Sequence, residues 1–270
     1  MQLIMISRGT LSGVNELSEK LSDELSYPIL EREHVLEEAY KYAINETGLC
    51  DISFIDRSPG IWDKQDFKRT HYLYSFQVSL LDLIAHNSSI YVGHLGQYLL
   101  SKIPFLFKIR VIQPLEMRAQ SWMIKNNVNY EQALNYVKLI DERRKDWSEF
   151  LYGVNISDPR YFDLIINLET MNVNTATNII KEALNQTEFN STPESLQLLS
   201  NYHLSTKAKL YLFLSPITRG IEFSIDINAD AENGILFIKG LNKLTDTDKY
   251  ESFINNVLSK LTEVKKITFN

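Results

Sequence analysis

Glycine, cysteine and long hydrophobic runs are all scarce in this sequence of 270 residues. Only 10 residues are glycine, whereas soluble proteins average about 7%. The single cysteine, Cys50, excludes a framework of intramolecular disulfides, and the histidines have no spacing typical of a zinc site. Charged residues interrupt every apolar stretch before it reaches the roughly eighteen residues that a membrane-spanning helix needs.

Basic residues are also in the minority, with 28 lysines and arginines against 34 acidic residues and a net charge of −6. A dedicated nucleic-acid binder would present a strongly basic face, so we expect no nucleic-acid partner. Phosphate-bearing small molecules remain compatible with this charge, because a few local arginines can bind them. Residues 1–6 carry no basic leader, so we expect a cytoplasmic protein.

Short apolar runs alternate with helical patterns over the first two thirds of the chain. The runs lie at residues 3–6, 90–92, 109–112 and 164–166, and the helical patterns at 14–25, 76–84 and 176–184. Nearly continuous apolar runs of this length are typical of strands covered on both faces. The alternation predicts an α/β domain over 1–186, with a parallel sheet flanked by helices.

The polar stretch 187–195 is typical of a linker, and the pattern changes after it. Residues 221–228 alternate as a half-buried strand does, and Asn233-Gly234 is a turn signal before a second strand at 235–238. A helical pattern and a closing strand at 264–269 follow. These features predict a second, small α+β domain over 196–270.

A strand, a polar turn and a helix at the start of the chain form an arrangement that binds phosphate. Backbone N–H groups at a helix N-terminus attract an anion. The standard pattern is G-x-x-x-x-G-K-[ST]; residues 9–16 supply Gly9 and Gly13 but have Val14 where the lysine belongs. An ordinary strand-to-helix turn is the alternative interpretation, because any such connection needs a polar turn.

Several short segments stand out in chain order: I-S-R at 6–8, S-G at 12–13, L-S-Y-P at 25–28, and the stretches 90–100, 109–118, 141–144 and 158–167. Together they resemble the cytidylate kinase-like branch of the P-loop nucleoside monophosphate kinases. The stretch 90–100 is similar to V-x-V-G-R-x-A-D-x-I-L, and 109–118 is similar to V-R-x-x-A-P-x-E-x-R. The resemblance spans residues 3 to about 184 and implies a P-loop kinase-like fold.

The resemblance implies phosphoryl transfer from ATP, with Mg²⁺, to a nucleoside monophosphate such as CMP. It implies that Arg118 and Arg144 reach nucleotide phosphates, with Asp141 beside Arg144 on one helix face. The implied phosphate loop contains Arg8, Gly9, Ser12, Gly13, Asn15 and Glu16, and the implied acceptor-binding residues are His94 and Gln97. Two alternatives stay open: structural ion pairs for the arginines, and helix-dipole complementation instead of Mg²⁺ binding for Glu16.

The sequence also departs from the family pattern. Leu11, Val14 and Asn15 replace two glycines and an arginine of the loop, and His94 and Gln97 replace an arginine and an aspartate. A neutral imidazole cannot bind phosphate bidentately as a guanidinium does. Two hypotheses follow: an active kinase with a degenerate phosphate loop, or a catalytically inactive kinase-like protein that binds a nucleotide or acts as a scaffold.

Residues 193–270 resemble a BON-type module, a small αββαβ unit. The matching stretches are 221–225, 233–240, 247–261 and 264–267. The resemblance implies binding of a ligand, a protein partner or a lipid surface, and we expect a ligand or a partner. The aromatic residues of 120–152 are expected in the core or in a homodimer contact.

Overall fold

The computed structural model describes residues 1–9, 13–42, 67–93, 95–241 and 246–270. These residues form two compact units. The first contains 1–34 and 86–191, and the second contains 35–42, 67–85 and 192–270. The change from one unit to the other at 191–192 falls inside the predicted linker. Residues 67–85 belong to the second unit, although they lie within the sequence range of the predicted first domain.

The first unit contains a parallel sheet with strand β1 at its centre. The strands are β1 (Leu3–Arg8), β2 (Ile29–Leu30), β3 (Ser89–Val92), β4 (Leu106–Ile112) and β5 (Leu164–Asn167), in the order β2-β3-β1-β4-β5. Within β1, Ile6 pairs with Val92 on one side and with Ile109 on the other. Residues 3–6 are fully buried, as expected for a strand covered on both faces. The predicted parallel α/β sheet is confirmed.

Helices flank this sheet. They are α1 (Val14–Leu25), α4 (Gly96–Leu99), α5 (Leu115–Asn126), α6 (Tyr130–Tyr152) and α7 (Val173–Leu184), while most of α2 (Arg32–Ala39) and all of α3 (Phe67–Ile84) belong to the second unit. Leu17 and Leu21 of α1 share a core with Ile180 and Leu184 of α7 and with the sheet. Helix α6 begins at a capping box, in which Asn129 and Gln132 each satisfy the other's backbone N–H.

The described part of the second unit contains a small sheet and two helices besides α2 and α3. Strands β6 (Asp226–Asp230), β7 (Ile235–Lys239) and β8 (Lys266–Phe269) lie in the order β6-β7-β8, with α8 (Pro193–Leu214) before them and α9 (Thr247–Leu258) between β7 and β8. The first pair is antiparallel and the second is parallel. This is the αββαβ order that the BON-type resemblance implies, whereas membership of that group stays a prediction.

Among the described helices, none combines the length and apolarity needed to cross a bilayer.

The first strand of this sheet begins later than the alternating pattern predicts. Gly220 has a φ of +92°, and its N–H donates to the Glu222 carboxylate at 2.8 Å, which closes a turn. Residues 221–223 therefore form a single 3-10 turn, and β6 starts only at Asp226. As a result Phe223 is 65% exposed, whereas Ile227 is buried.

The core between α1, α7 and the sheet provides a matched test of packing. Ile180 is fully buried and its neighbour Ile179 is 38% exposed. We expect Ile180→Ala to lower the free energy of unfolding by about 2–5 kcal/mol, because it leaves a cavity in the core. Ile179→Ala should have a much smaller effect in the same urea titration, and equal losses from the two substitutions would contradict this packing.

A carboxylate of the second unit is held by three polar side chains. Asp82 on α3 accepts a hydrogen bond from the Tyr42 hydroxyl at 2.8 Å, and its oxygens lie 2.8 Å from Lys41 Nζ and 2.8 Å from His203 Nε2. Burial acts to raise the pKa of Asp82. The contacts with His203, Lys41 and Tyr42 outweigh burial and hold that pKa well below its usual range.

A carboxylate whose pKa is lowered by folding stabilises the folded state above its unfolded pKa of about 3.9, and this contribution is lost as the pH falls below that value. We therefore expect Asp82→Asn to destabilise the protein by about 2 kcal/mol at pH 7, the scale of a charged hydrogen bond. The difference from the unsubstituted protein should shrink as the pH falls below about 4. Urea titrations across pH 2.5–7 measure this difference. A pH-independent difference, or the same profile for the exposed Asp226→Asn, would contradict it.

Candidate active site

A cavity of about 550 Å³ opens at the carboxyl ends of β1 and β4. Arg8 and Gly9 border it where β1 ends, and residues 111–113 border it where β4 ends. Helices α5 and α6 supply the remaining wall. The carboxyl edge of a parallel sheet, at the point where the chain changes from one side of the first strand to the other, is where α/β folds bind ligands.

The lining of this cavity is strongly basic, although the whole chain is acidic. Six basic and two acidic side chains line it: Arg8, Arg110, Arg118, Lys138, Arg144 and Lys145 against Asp141 and Glu142. A concave surface lined by charges of one sign focuses its field and concentrates ligands of the opposite sign. The geometry therefore suits an anion that carries several charges.

Arg118, in the first turn of α5, is fixed from two sides. Its Nε donates to the Gln113 carbonyl oxygen at 3.1 Å, and its Nη1 lies 2.6 Å from Oδ2 of Asp141 on α6. The guanidinium also lies over Gly9, where an added Cβ would come within 3.1 Å of Nη1. The backbone at Gly9 can approach Arg118 this closely because the residue has no side chain. The structure thus joins three predicted site residues, Arg118, Asp141 and Gly9.

Around the predicted phosphate loop, β1 and α1 contribute further groups. Arg8 Nη1 donates to Asn15 Oδ1 at 2.6 Å. Gly13 precedes α1 with a φ of +73°, a conformation that favours glycine. Asn15 and Glu16 are exposed in the first turn, whereas Val14 is buried in the core. Ser12, together with Leu11, lies outside the described residues.

Arg110 lines the cavity as well, although its place within a strand gave no sign of that role. Its guanidinium donates to the Ile156 carbonyl at 2.8 Å and to Ser157 Oγ at 3.0 Å, and it lies 5.5 Å from the Phe162 ring centre. Burial lowers the pKa of Arg110, and the nearby Arg118 adds to this effect. These neutral acceptors hold a cation at the cavity wall.

Helix α6 contributes a charged face to the cavity, although only Asp141 and Arg144 on this helix are predicted site residues. Lys138, Asp141, Glu142 and Lys145 all line the cavity. Their spacing of i, i+3, i+4 and i+7 places them on one face of a helix. That periodicity was the signal available in the sequence.

A second cavity of about 210 Å³ adjoins the carboxyl end of β3. It shares Arg8 and Arg144 with the larger cavity, and Arg32, Arg143 and Trp147 also line it. Of the two predicted acceptor residues, His94 lies outside the described residues. Gln97 is only 3% exposed on α4 and is absent from the described lining of both cavities, so its role stays a prediction.

Comparison with known proteins agrees with this arrangement. Residues 3–170, more than half of the chain, match the cytidylate kinase-like family. The chain belongs to the cytidylate kinase-like family. The matched region runs from β1 to β5 and contains every described residue that lines the two cavities.

Individual relatives extend the comparison. A protein named cytidylate kinase from Saccharolobus islandicus is 25% identical over 194 residues, which cover 71% of this chain and 95% of that protein. Another of that name from Staphylothermus marinus is 32% identical over 90 residues, or 33% of this chain and 50% of that protein. The structure of an uncharacterized protein from Eubacterium ventriosum, at 20% identity, superposes with a TM-score of 0.51 over 69% of this chain and 99% of that one.

The described part of the loop differs from the standard phosphate loop at the residue after its second glycine. The residue that follows Gly13 is the lysine of the standard phosphate loop. Here it is Val14, whose side chain is 1% exposed and packs in the core below the sheet edge. Among the described residues, no group of three His, Cys, Asp or Glu side chains is placed to hold a metal ion.

The basic cavity predicts binding of an inorganic polyanion. We expect the protein to bind tripolyphosphate in isothermal titration calorimetry, with an affinity that falls as salt is added. Arg118→Met should weaken binding at least about tenfold, the equivalent of one charged hydrogen bond. Arg160→Met is the matched control, because Arg160 is 84% exposed and pairs with Asp158 outside the cavity lining. Equal weakening by both substitutions would place the binding elsewhere.

Proposed function

We propose that this protein is a nucleoside monophosphate kinase that transfers the γ-phosphoryl group of ATP to CMP or a similar nucleotide. The observation that carries the proposal is the set of six basic side chains at the carboxyl edge of the sheet in a chain of net charge −6. Phosphoryl transfer depends mainly on positioning and on neutralising phosphate charge, which is what such a lining supplies. Family membership supports the same class of reaction.

Within this proposal, Arg118 and Arg144 are catalytic residues that contact the transferred phosphate. Arg118 Nη1 is 2.6 Å from Asp141, so Asp141 acts as a positioning residue that fixes the guanidinium. Both arginines line the larger cavity, and Arg144 also lines the smaller one. We assign the larger cavity to ATP, and the smaller one, with His94 and Gln97 as predicted neighbours, to the acceptor.

Glu16 is the proposed ligand for Mg²⁺. Proteins usually hold this ion through one or two carboxylates, together with phosphate oxygens and water. Glu16 is an exposed carboxylate in the first turn of α1, next to the predicted phosphate loop, and it fits that requirement. When bound, the ion would neutralise charge on the nucleotide phosphates.

One observation favours the second candidate, an inactive protein that binds nucleotide without transferring phosphate. Val14 is buried at the position of the loop lysine, so its side chain supplies no charge to a bound nucleotide. In that case residues 192–270 of the second unit, with their αββαβ order, would act as the sensor or scaffold. This unit would bind a ligand or a protein partner.

The two candidates are separated by measuring ADP formation from ATP and Mg²⁺ with CMP, UMP, AMP or GMP as acceptor. The kinase proposal predicts turnover with at least one of them, CMP being the first choice. Arg144→Met should lower kcat/KM by about 10²-fold, as is common when a donor to a developing charge is removed. Arg160→Met should leave it unchanged, because Arg160 lies outside the cavity lining.

A thermal-shift measurement with ATP and Mg²⁺ completes the comparison, because a ligand that binds only the folded state stabilises it. A shift without turnover for any acceptor would favour the inactive nucleotide-binding protein. Neither a shift nor turnover would overturn both nucleotide hypotheses and leave the scaffold.

A further inference from the structure

Arg8 occupies a special place at the edge of the sheet. It is the last residue of β1, and its guanidinium reaches forward to Asn15 Oδ1 in the first turn of α1, at 2.6 Å. This hydrogen bond joins two residues of the predicted phosphate loop, one from its first part and one from its last part. The Arg8 side chain is therefore held by a partner that carries no charge of its own.

Next to Asn15, the predicted phosphate loop lacks the lysine that the standard phosphate loop has. In the standard phosphate loop, a lysine directly after the second glycine reaches the β- and γ-phosphates. Here the corresponding residue, Val14, faces the core with 1% exposure. Asn15, the next residue, is exposed and is turned towards Arg8 rather than inwards.

Arg8 also lies where the two cavities meet. Only Arg8 and Arg144 line both the cavity of about 550 Å³ and the cavity of about 210 Å³ among the described lining residues. A group that moves from a donor in one cavity to an acceptor in the other passes between them. A positively charged side chain at this junction can stabilise the phosphoryl group while it is being transferred. A positively charged side chain at the far end of either cavity can stabilise only a bound substrate.

We infer that Arg8 is a catalytic residue that replaces the absent loop lysine, and that Asn15 is the positioning residue that holds it. This assignment rests on the kinase activity proposed above. In the reaction, an oxygen of the acceptor monophosphate bonds to the γ-phosphorus of ATP. The bond from that phosphorus to the β–γ bridging oxygen breaks, and its electron pair leaves with ADP. The acceptor phosphate is largely a dianion at neutral pH, so no proton has to be removed from it.

The Arg8 guanidinium would neutralise the charge that develops on the bridging and γ-phosphate oxygens during this transfer. Interactions made only in the transition state raise kcat rather than lower KM. A guanidinium offers two parallel N–H donors, and while Asn15 occupies Nη1, the second terminal nitrogen is still able to donate. The Asn15 amide orients the side chain without cancelling its charge, as a carboxylate in that position would.

The test is steady-state kinetics of Arg8→Met, Arg8→Lys and Asn15→Ala, each with ATP, Mg²⁺ and the best acceptor found for the unsubstituted protein. We expect Arg8→Met to lower kcat by about 10²–10³-fold with little change in either KM. Arg8→Lys, which keeps the charge, should restore part of that loss. Asn15→Ala should lower kcat by about tenfold, because the guanidinium is present but less well fixed. The exposed Arg160→Met serves as the control, and melting temperatures verify that every variant is folded.

The possible failures are distinguishable. If the unsubstituted protein turns over no acceptor, the proposed function is overturned, and this assignment with it. If it turns over but Arg8→Met leaves kcat unchanged, only the assignment of Arg8 is overturned. A rise in the KM for ATP at unchanged kcat would also overturn it, because Arg8 would then bind the ground state and the transition state equally.

Discussion

Strand β1 pairs in parallel with a neighbouring strand on each side, and this pairing determines where the basic side chains of the first unit come together. Because β3 and β4 run in the same direction as β1, the carboxyl ends of all three strands meet at one edge of the sheet. Arg8 at the end of β1 is in register with Val111 near the end of β4. The chain leaves β4 through Gln113 into α5, which brings Arg118 back over Gly9. Residues more than a hundred positions apart thus face one cavity.

This arrangement concentrates like charges, and neutral or acidic acceptors hold them in place. Asp141 pairs with Arg118, while the Ile156 carbonyl holds Arg110 and the Asn15 amide holds Arg8. These acceptors fix each guanidinium, but only one of the three removes charge. The remaining repulsion is an unfavourable term that a bound phosphate relieves, so ligand binding and stability are coupled at this edge. In this account, an acidic protein gains affinity for phosphate by local placement rather than by its net charge.

Much of the fold could be predicted from sequence patterns, and the exceptions have physical causes. The apolar runs of β1 and β3 are fully buried, and such runs are a clear signal. Strand β2 has two residues, Ile29–Leu30, which is too short for any periodicity to show. The alternation that begins at Ile221 predicts a strand, but the left-handed Gly220 turns the chain first, so Phe223 points to solvent.

The candidate site was predictable only in part. The strand-to-helix pattern indicates Gly9 and Gly13, and the family resemblance implies Arg8 and Arg118. Neither predicts that Asp141 pairs with Arg118, since these two side chains meet only through the packing of α5 against α6. Arg110 gives no sign for a related reason: a side chain on a strand face acquires a role only when the tertiary fold places a cavity beside it.

The central claim is that nucleotide phosphates bind at the carboxyl edge of the five-stranded sheet. The most direct measurement is a titration with a non-hydrolysable ATP analogue and Mg²⁺, followed by ¹H–¹⁵N correlation spectra of the deuterated protein. The account predicts large, saturable shifts for the amides of Gly9, Gly13 and Gln113, and none for Gly234 and Gly240 in the second unit. Shifts confined to residues 192–270, or no saturable shifts at all, would contradict it.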